Sequence, residues 1–238
     1  MFTITTTSTG LASIIFFVLG LTLYTFWKKE KTSEELKFFA IFLFSFGFQQ
    51  AFFSLGSGLV ADNKAMSNLF WAIAHLFMFV GISYLLRFSI RAKYPALEKK
   101  VFIITLIASA VGETILMLNR GAVQPFLLDN GIYNWKVPQL SGATIGIFTV
   151  SCLLFSFWIF ISNIKKLPTR VLRFRSLTMA IAILMFFVGG PIHNFVTTPL
   201  VNFMADGLLV SSVVVMAVGI YIPRIVIYLN EDTSSDKA

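Results

Sequence analysis

The chain has a single cysteine, Cys152, so it can form no internal disulfide, and the apolar run around it marks it as a small interior residue. Histidine occurs only at positions 75 and 193. There is no His-Glu-x-x-His pair, no Gly-x-Ser-x-Gly elbow and no glycine-rich phosphate loop. The spacings that announce zinc hydrolysis, a serine nucleophile or nucleotide binding are therefore missing. Charge is also thin. Asp, Glu, Lys and Arg make up 13% of the 238 residues, roughly half the share of a soluble domain. So few charges cannot clothe a water-facing surface, which excludes an ordinary soluble globule.

What fills the space is apolar. Hydrophobic residues reach 57%, with 27 phenylalanines, and the mean hydropathy is +0.82. The apolar residues gather into seven stretches near Leu11–Trp27, Phe38–Val60, Leu69–Phe88, Val101–Leu118, Ala143–Ile164, Ser176–Thr197 and Val201–Pro223. A helix needs about 20 such residues to cross a bilayer, and each stretch is apolar all round, as lipid exposure requires. The first and fourth look short and are expected to extend into their flanks. No Lys or Arg precedes the first stretch and no small-residue cleavage site follows it, so it reads as a retained helix rather than a signal peptide. The expected fold is all-α, a polytopic seven-helix bundle. Residues 1–10 would be a short outer segment, 11–223 the transmembrane domain and 224–238 a short, disordered cytoplasmic tail.

Orientation follows from the loops. Of the 19 basic residues, all but Lys64, Arg120 and Lys136 fall in the odd loops and the tail. The positive-inside rule places those loops in the cytoplasm and the N-terminus outside. The same placement explains the net charge of +8 without nucleic acid, and the implied location is a prokaryotic cytoplasmic membrane. The longest outer loop, Asn119–Gly142, carries Pro125, Asp129-Asn130-Gly131, Tyr133 and Trp135. Its turn residues suit a lid folded back on the bundle. Trp27, Trp71 and Trp158 near span ends are expected to anchor at the membrane interface.

Ionisable side chains inside a bilayer cost roughly 2.5–3.5 kcal/mol each on insertion scales and often mark function. Four stand out: His75, Glu113, His193 and Asp206. Counted from the outer ends of their spans at about 1.5 Å per residue, all fall roughly 6–9 Å below the outer surface. Asn194 adjoins His193, Asn202 sits one turn from Asp206, and Gln50 lies deeper. Gly189-Gly190-Pro191 should kink the sixth span just below His193. The expectation is a polar layer in the outer half, serving either as a ligand site or as a polar core that ties helices together.

The span from Leu11 to Pro223 resembles the seven-helix input domains of bacterial histidine kinases. The likeness rests on an outside N-terminus, a short charged first loop, a third span ending Tyr84-Leu85-Leu86-Arg87-Phe88 and a long outer loop between spans four and five. It implies a non-enzymatic sensor or ligand-binding protein. No kinase follows Pro223, so a separate partner would carry the signal, met through the basic segment 165–175 or through anionic lipid. Two other readings use the same residues. His75 and His193 would be the axial ligands of one b-type haem in a redox subunit. Alternatively, Glu113 and Asp206 would load protons in a transporter, although spans one to three and five to seven share no repeat. A zinc site would need Glu113 or Asp206 beside the two histidines. A retinal Schiff base is excluded, because the seventh span has no lysine.

Overall fold

A computed structural model describes residues 3–30, 34–195 and 198–235, with side chains described for 3–29, 34–189, 198, 200–201 and 203–219. Within these residues the chain forms seven helices: α1 (Ile4–Glu30), α2 (Glu34–Ser57), α3 (Lys64–Lys93), α4 (Glu98–Asn119), α5 (Gln139–Asn163), α6 (Arg170–Phe195) and α7 (Pro199–Ser235). Six are long and apolar enough to cross a membrane, and the described apolar part of α7 is Phe203–Gly219.

The helices start where local chemistry allows. Asn63 accepts a hydrogen bond from the Met66 N–H at 3.2 Å and caps α3. Thr169 accepts from the Leu172 N–H at 3.2 Å at the head of α6. Each side chain satisfies a backbone donor that the first turn leaves unpaired. Pro199 opens α7, where a missing N–H costs nothing.

Every helix is longer than the apolar stretch that announced it, because polar flanks continue the backbone ladder. The first and fourth do extend, to Ile4–Glu30 and Glu98–Asn119. The second ends at Ser57 rather than Val60. The sixth continues as helix through the Gly-Gly-Pro step. The tail departs from expectation: the segment read as disordered is helical as far as Ser235, since α7 runs on past Pro223.

Among the described residues one segment forms strands. β1 (Gln124–Leu127) and β2 (Tyr133–Lys136) pair antiparallel, with Phe126 opposite Asn134. Gly131 takes φ 81° in the connecting turn, a left-handed conformation that a side chain would strain. The expected lid is therefore a β-hairpin.

Helices α1, α2, α3, α5, α6 and α7 pack in that order around a ring, closed by a light α7–α1 contact. Helix α4 lies outside the ring, against α3 and α5. Phenylalanines fill the middle. Phe46 of α2 meets Phe186 of α6 edge-on at 4.7 Å between ring centroids, Phe42 at 4.9 Å and Phe16 of α1 at 5.8 Å. Such pairs add roughly 0.5–1.5 kcal/mol beyond area burial. Trp71 belongs with them: it is 2% exposed and not the interfacial anchor its position suggested, because the hairpin covers its end of α3. Trp158, 60% exposed, does face outward.

Close approach of α2 to α3 depends on Gly81. A Cβ there would lie 2.8 Å from the Phe46 ring and 3.1 Å from Ser45 Cβ. The ring is itself wedged against Phe186 and has little room to withdraw. Gly81→Ala should therefore lower stability by about 1–3 kcal/mol through overpacking, read as a lower melting temperature in detergent. Gly142→Ala, with nothing within 4 Å of its Cβ, should leave that temperature unchanged.

Candidate functional site

The described polar side chains concentrate at two ends. At one end the hairpin is latched to α1, α2 and α3. The Ile4 N–H donates to the Gly131 carbonyl at 2.9 Å. The Tyr133 N–H donates to Thr5 Oγ1 at 3.0 Å, and Thr5 Oγ1 donates to the Tyr133 carbonyl, also at 3.0 Å. Tyr133 and Trp135 then converge on Ser67 in the first turn of α3. Trp135 Nε1 donates to Ser67 Oγ at 3.2 Å, Ser67 Oγ lies 2.9 Å from Tyr133 Oη, and Tyr133 Oη donates to the Ala61 carbonyl at 3.3 Å. These contacts suit one directed chain in which the indole donates to Ser67, Ser67 to the phenol and the phenol to Ala61. Beside it, Asn68 Nδ2 donates to the Arg120 and Val123 carbonyls at 2.8 and 2.9 Å. The helix end before the hairpin is thus held to α3 as well.

His75 lies below this latch and is 4% exposed. Its Nδ1 donates to the Trp71 carbonyl at 2.8 Å, as an acceptor carbonyl requires. Its ring packs on Trp71 at 4.5 Å and against Phe53 at 5.4 Å. Phe53 in turn meets Trp135 of the hairpin at 5.5 Å. Gln50 and Gln49 are buried on the next turn of α2, and Gln49 Oε1 has no hydrogen-bond partner.

Glu113 occupies a different seam. It is 8% exposed on α4, and neither carboxyl oxygen has a hydrogen-bond partner. Neighbouring Gly112 faces Phe79 of α3 and Thr144 of α5. One turn away, Ser109 Oγ lies 3.0 Å from Ser83 Oγ of α3. His75 is therefore about one turn, roughly 6 Å, nearer the hairpin than the level at which α3 meets Gly112. The neighbours of Gly112, Phe79 and Thr144, are not those of His75, Trp71 and Phe53. Asp206 is half-buried on α7. The side chains of His193, Asn194 and Asn202 lie outside the described residues. Among the described residues no three His, Cys, Asp or Glu side chains form a group able to hold a metal.

The opposite end holds a cluster that loop-charge counting did not isolate. Arg91 reaches Glu34 at 2.6 Å, Glu35 at 3.3 Å and Glu98 at 3.0 Å. Glu98 also pairs with Arg87, whose guanidinium stacks between the rings of Phe38 and Phe102 at 3.9 and 4.4 Å. The cluster ties the heads of α2 and α4 to the last turns of α3. A signal was present in the sequence: Arg87 and Arg91 share one helix face, and Glu34, Glu35 and Glu98 sit where helices begin.

Comparison with known protein families, curated proteins and solved structures gave no match. The arguments for function are therefore those of geometry and charge.

Burial raises the affinity of the Tyr133 hydroxyl for its proton above the ordinary tyrosine value; the Ser67 hydrogen bond opposes this, and the charge of Asp62 adds to it. A raised native value means that the latch contributes fully below the unfolded value of about 10 and loses that contribution as pH rises through the native one. Stability should therefore fall above about pH 10, in part because the phenolate can no longer donate to Ala61. Tyr133→Phe should lose about 1 kcal/mol near neutral pH and show a shallower alkaline decline. Melting temperatures between neutral and alkaline pH decide this, and equal alkaline slopes in the two proteins would remove Tyr133 from the latch.

Proposed function

We propose that this chain is an integral membrane protein of the sensor type, with its N-terminus outside. It passes a change at the hairpin to a cytoplasmic partner and catalyses no reaction itself. The observation that carries the reading is the double tether of α3. Its first turn is clamped to the hairpin by Ser67, and its last turns are clamped to α2 and α4 by Arg87 and Arg91. A single helix about 45 Å long, at about 1.5 Å per residue, joins the two clamps and is packed by α2, α4 and α5. A rigid body held at both ends transmits displacement between two polar clusters, each of which has discrete bonds to make or lose.

Three further arguments support the reading. The asymmetry of basic residues favours a cytoplasmic location for the Arg91 end. The likeness to seven-helix input domains of histidine kinases suggests the same role. The segment 165–175, which carries Lys165, Lys166, Arg170 and Arg173, offers a basic surface at that end for an acidic partner.

The test has two arms. In a Cys152→Ser background, a membrane-impermeant maleimide on intact cells should label Asn130→Cys and leave Lys165→Cys unlabelled. The reverse pattern would overturn the orientation. In the second arm, Trp135→Ala should raise hydrogen exchange at the hydrogen-bonded amides of residues 86–92 of α3 and 102–106 of α4, beside the Arg91 cluster. Leu118→Ala, at a position 81% exposed, should leave both unchanged. Equal exchange at the Arg91 end in all three proteins would sink the coupling.

A further inference from the structure

The ring closes most loosely between α1 and α7, and two clefts lie in line along that seam. The lower cleft, of about 400 Å³, is walled by Ile14, Val18 and Leu19 of α1 and by Val214, Ala217 and Val218 of α7. The upper cleft, of about 360 Å³, is walled by Thr3, Ile4, Thr7, Ser8, Leu11 and Phe203. The two helices therefore run parallel down the seam. From Ile4 to Val18 the distance is roughly 21 Å at about 1.5 Å per residue. One leaflet with its headgroup region is also roughly 20–22 Å deep, half of a bilayer about 40–45 Å thick.

Polarity changes along the seam in the same sense as in a lipid. Hydroxyl side chains stand at the hairpin end and only aliphatic ones line the lower cleft. Thr7 Oγ1 and Ser8 Oγ each donate to a carbonyl of their own helix, at 3.2 Å. What each oxygen has left to offer is acceptor capacity. Among the described residues the lining carries no lysine or arginine and so offers no cation to an anionic headgroup.

We infer that the α1–α7 seam seats one glycerophospholipid of the hairpin-side leaflet. Its acyl chain lies against Ile14, Val18 and Ala217, and a headgroup with an ammonium donor and no net charge, as in ethanolamine, lies beside Thr7 and Ser8. The upper cleft is built from residues that also hold the hairpin. Ile4 lines it and donates its N–H to Gly131. Thr3 lines it and accepts from the Thr6 N–H at 3.0 Å, and Thr6 Oγ1 lies 3.1 Å from Ser57 Oγ of α2. Occupancy of the seam therefore bears on the latch. This last step rests on the sensor reading above, whereas the seating of the lipid does not.

The test uses the full chain reconstituted in vesicles of equal parts phosphatidylethanolamine and phosphatidylglycerol, then released into mild detergent for native mass spectrometry. The parent should retain one phosphatidylethanolamine per chain. Ala217→Phe and Ile14→Trp, which fill the lower cleft from opposite walls, should lose it. Val18→Ala, which widens the cleft, should keep it. Leu140→Phe, at an exposed position on α5, serves as a control for added bulk and should also keep it. No retained lipid in the parent, undiminished retention in both filled variants, or a second copy of the chain in place of the lipid would overturn the proposal. Preferential retention of phosphatidylglycerol would overturn the headgroup assignment. Hydrogen exchange at the Ile4 and Tyr133 amides, measured on the same samples, should rise several-fold when the seam is filled by Phe or Trp. Lipid loss with unchanged exchange would leave the lipid site standing and count against the sensor reading alone.

Discussion

Hydrocarbon solvates a leucine as well as another leucine does, so burial alone cannot hold apolar helices to one another in a membrane. Cohesion has to come from fit and from hydrogen bonds that lipid cannot supply. Each well-joined seam of this bundle has such a device. Between α1 and α2, Ser13 Oγ donates to the Gly47 carbonyl at 2.9 Å and Ser54 Oγ to the Thr6 carbonyl at 2.8 Å. Between α2 and α3, Gly81 admits the Phe46 ring. Ser83 and Ser109 join α3 to α4, and Lys93 Nζ donates to Ser162 Oγ at 2.7 Å between α3 and α5. Ser176 Oγ donates to the Phe160 carbonyl at 2.8 Å between α5 and α6. Gly189 and Gly219 then bring α6 and α7 to backbone distance.

These devices also explain why α3 is the axis of the molecule. Three of the seams above include it, and both polar clusters begin on it. His75 is satisfied by its own helix through the Trp71 carbonyl and wrapped by aromatic rings, so its desolvation is met locally. Glu113 is the opposite case. A buried carboxyl with no hydrogen-bond partner is costly wherever it lies. Its helix packs outside the ring, against α3 and α5 alone. Two of the four residues that the sequence marks thus do different work: one braces the covered end of α3, and the other leaves acceptors unmet among the described residues of the α3–α4–α5 seam.

The seven helices and the folded-back loop were legible because their signals are local: apolar length, turn residues and the sign of loop charge. Height along a helix is open to the same local reasoning, since rise per residue fixes it. What depth cannot give is azimuth. Nothing in the sequence says that α4 stands outside the ring, against α3 and α5, whereas His75 faces Trp71 and Phe53. Trp71 was misread because a tryptophan near a span end is ordinarily interfacial; here the hairpin folds onto the same end of α3, where Trp135 reaches Ser67 across more than sixty positions, and Trp71 is buried. Arg87 and Arg91 were counted as loop charges, and Glu98 was passed over, because positive-inside reasoning adds basic residues and ignores their partners. The long-range pairing of Glu34 with Arg91 is invisible until α2 and α3 are placed side by side.

Among the described residues, the α1–α7 seam shows none of the devices found in the others. Its described walls below Ser8 are aliphatic on both sides, and neither a described hydrogen bond nor a buried glycine crosses it. In water such a surface would close on itself, because burial of apolar area drives association. In a bilayer an acyl chain makes the same dispersion contacts as a neighbouring isoleucine, so protein and lipid compete for the cleft on equal terms. A ring fastened everywhere else and left aliphatic at one seam therefore opens there first, and what enters is what the membrane holds in excess. Because Ile4 stands at the mouth of that seam while its backbone holds Gly131, the least specific contact in the bundle adjoins one of its most directed ones.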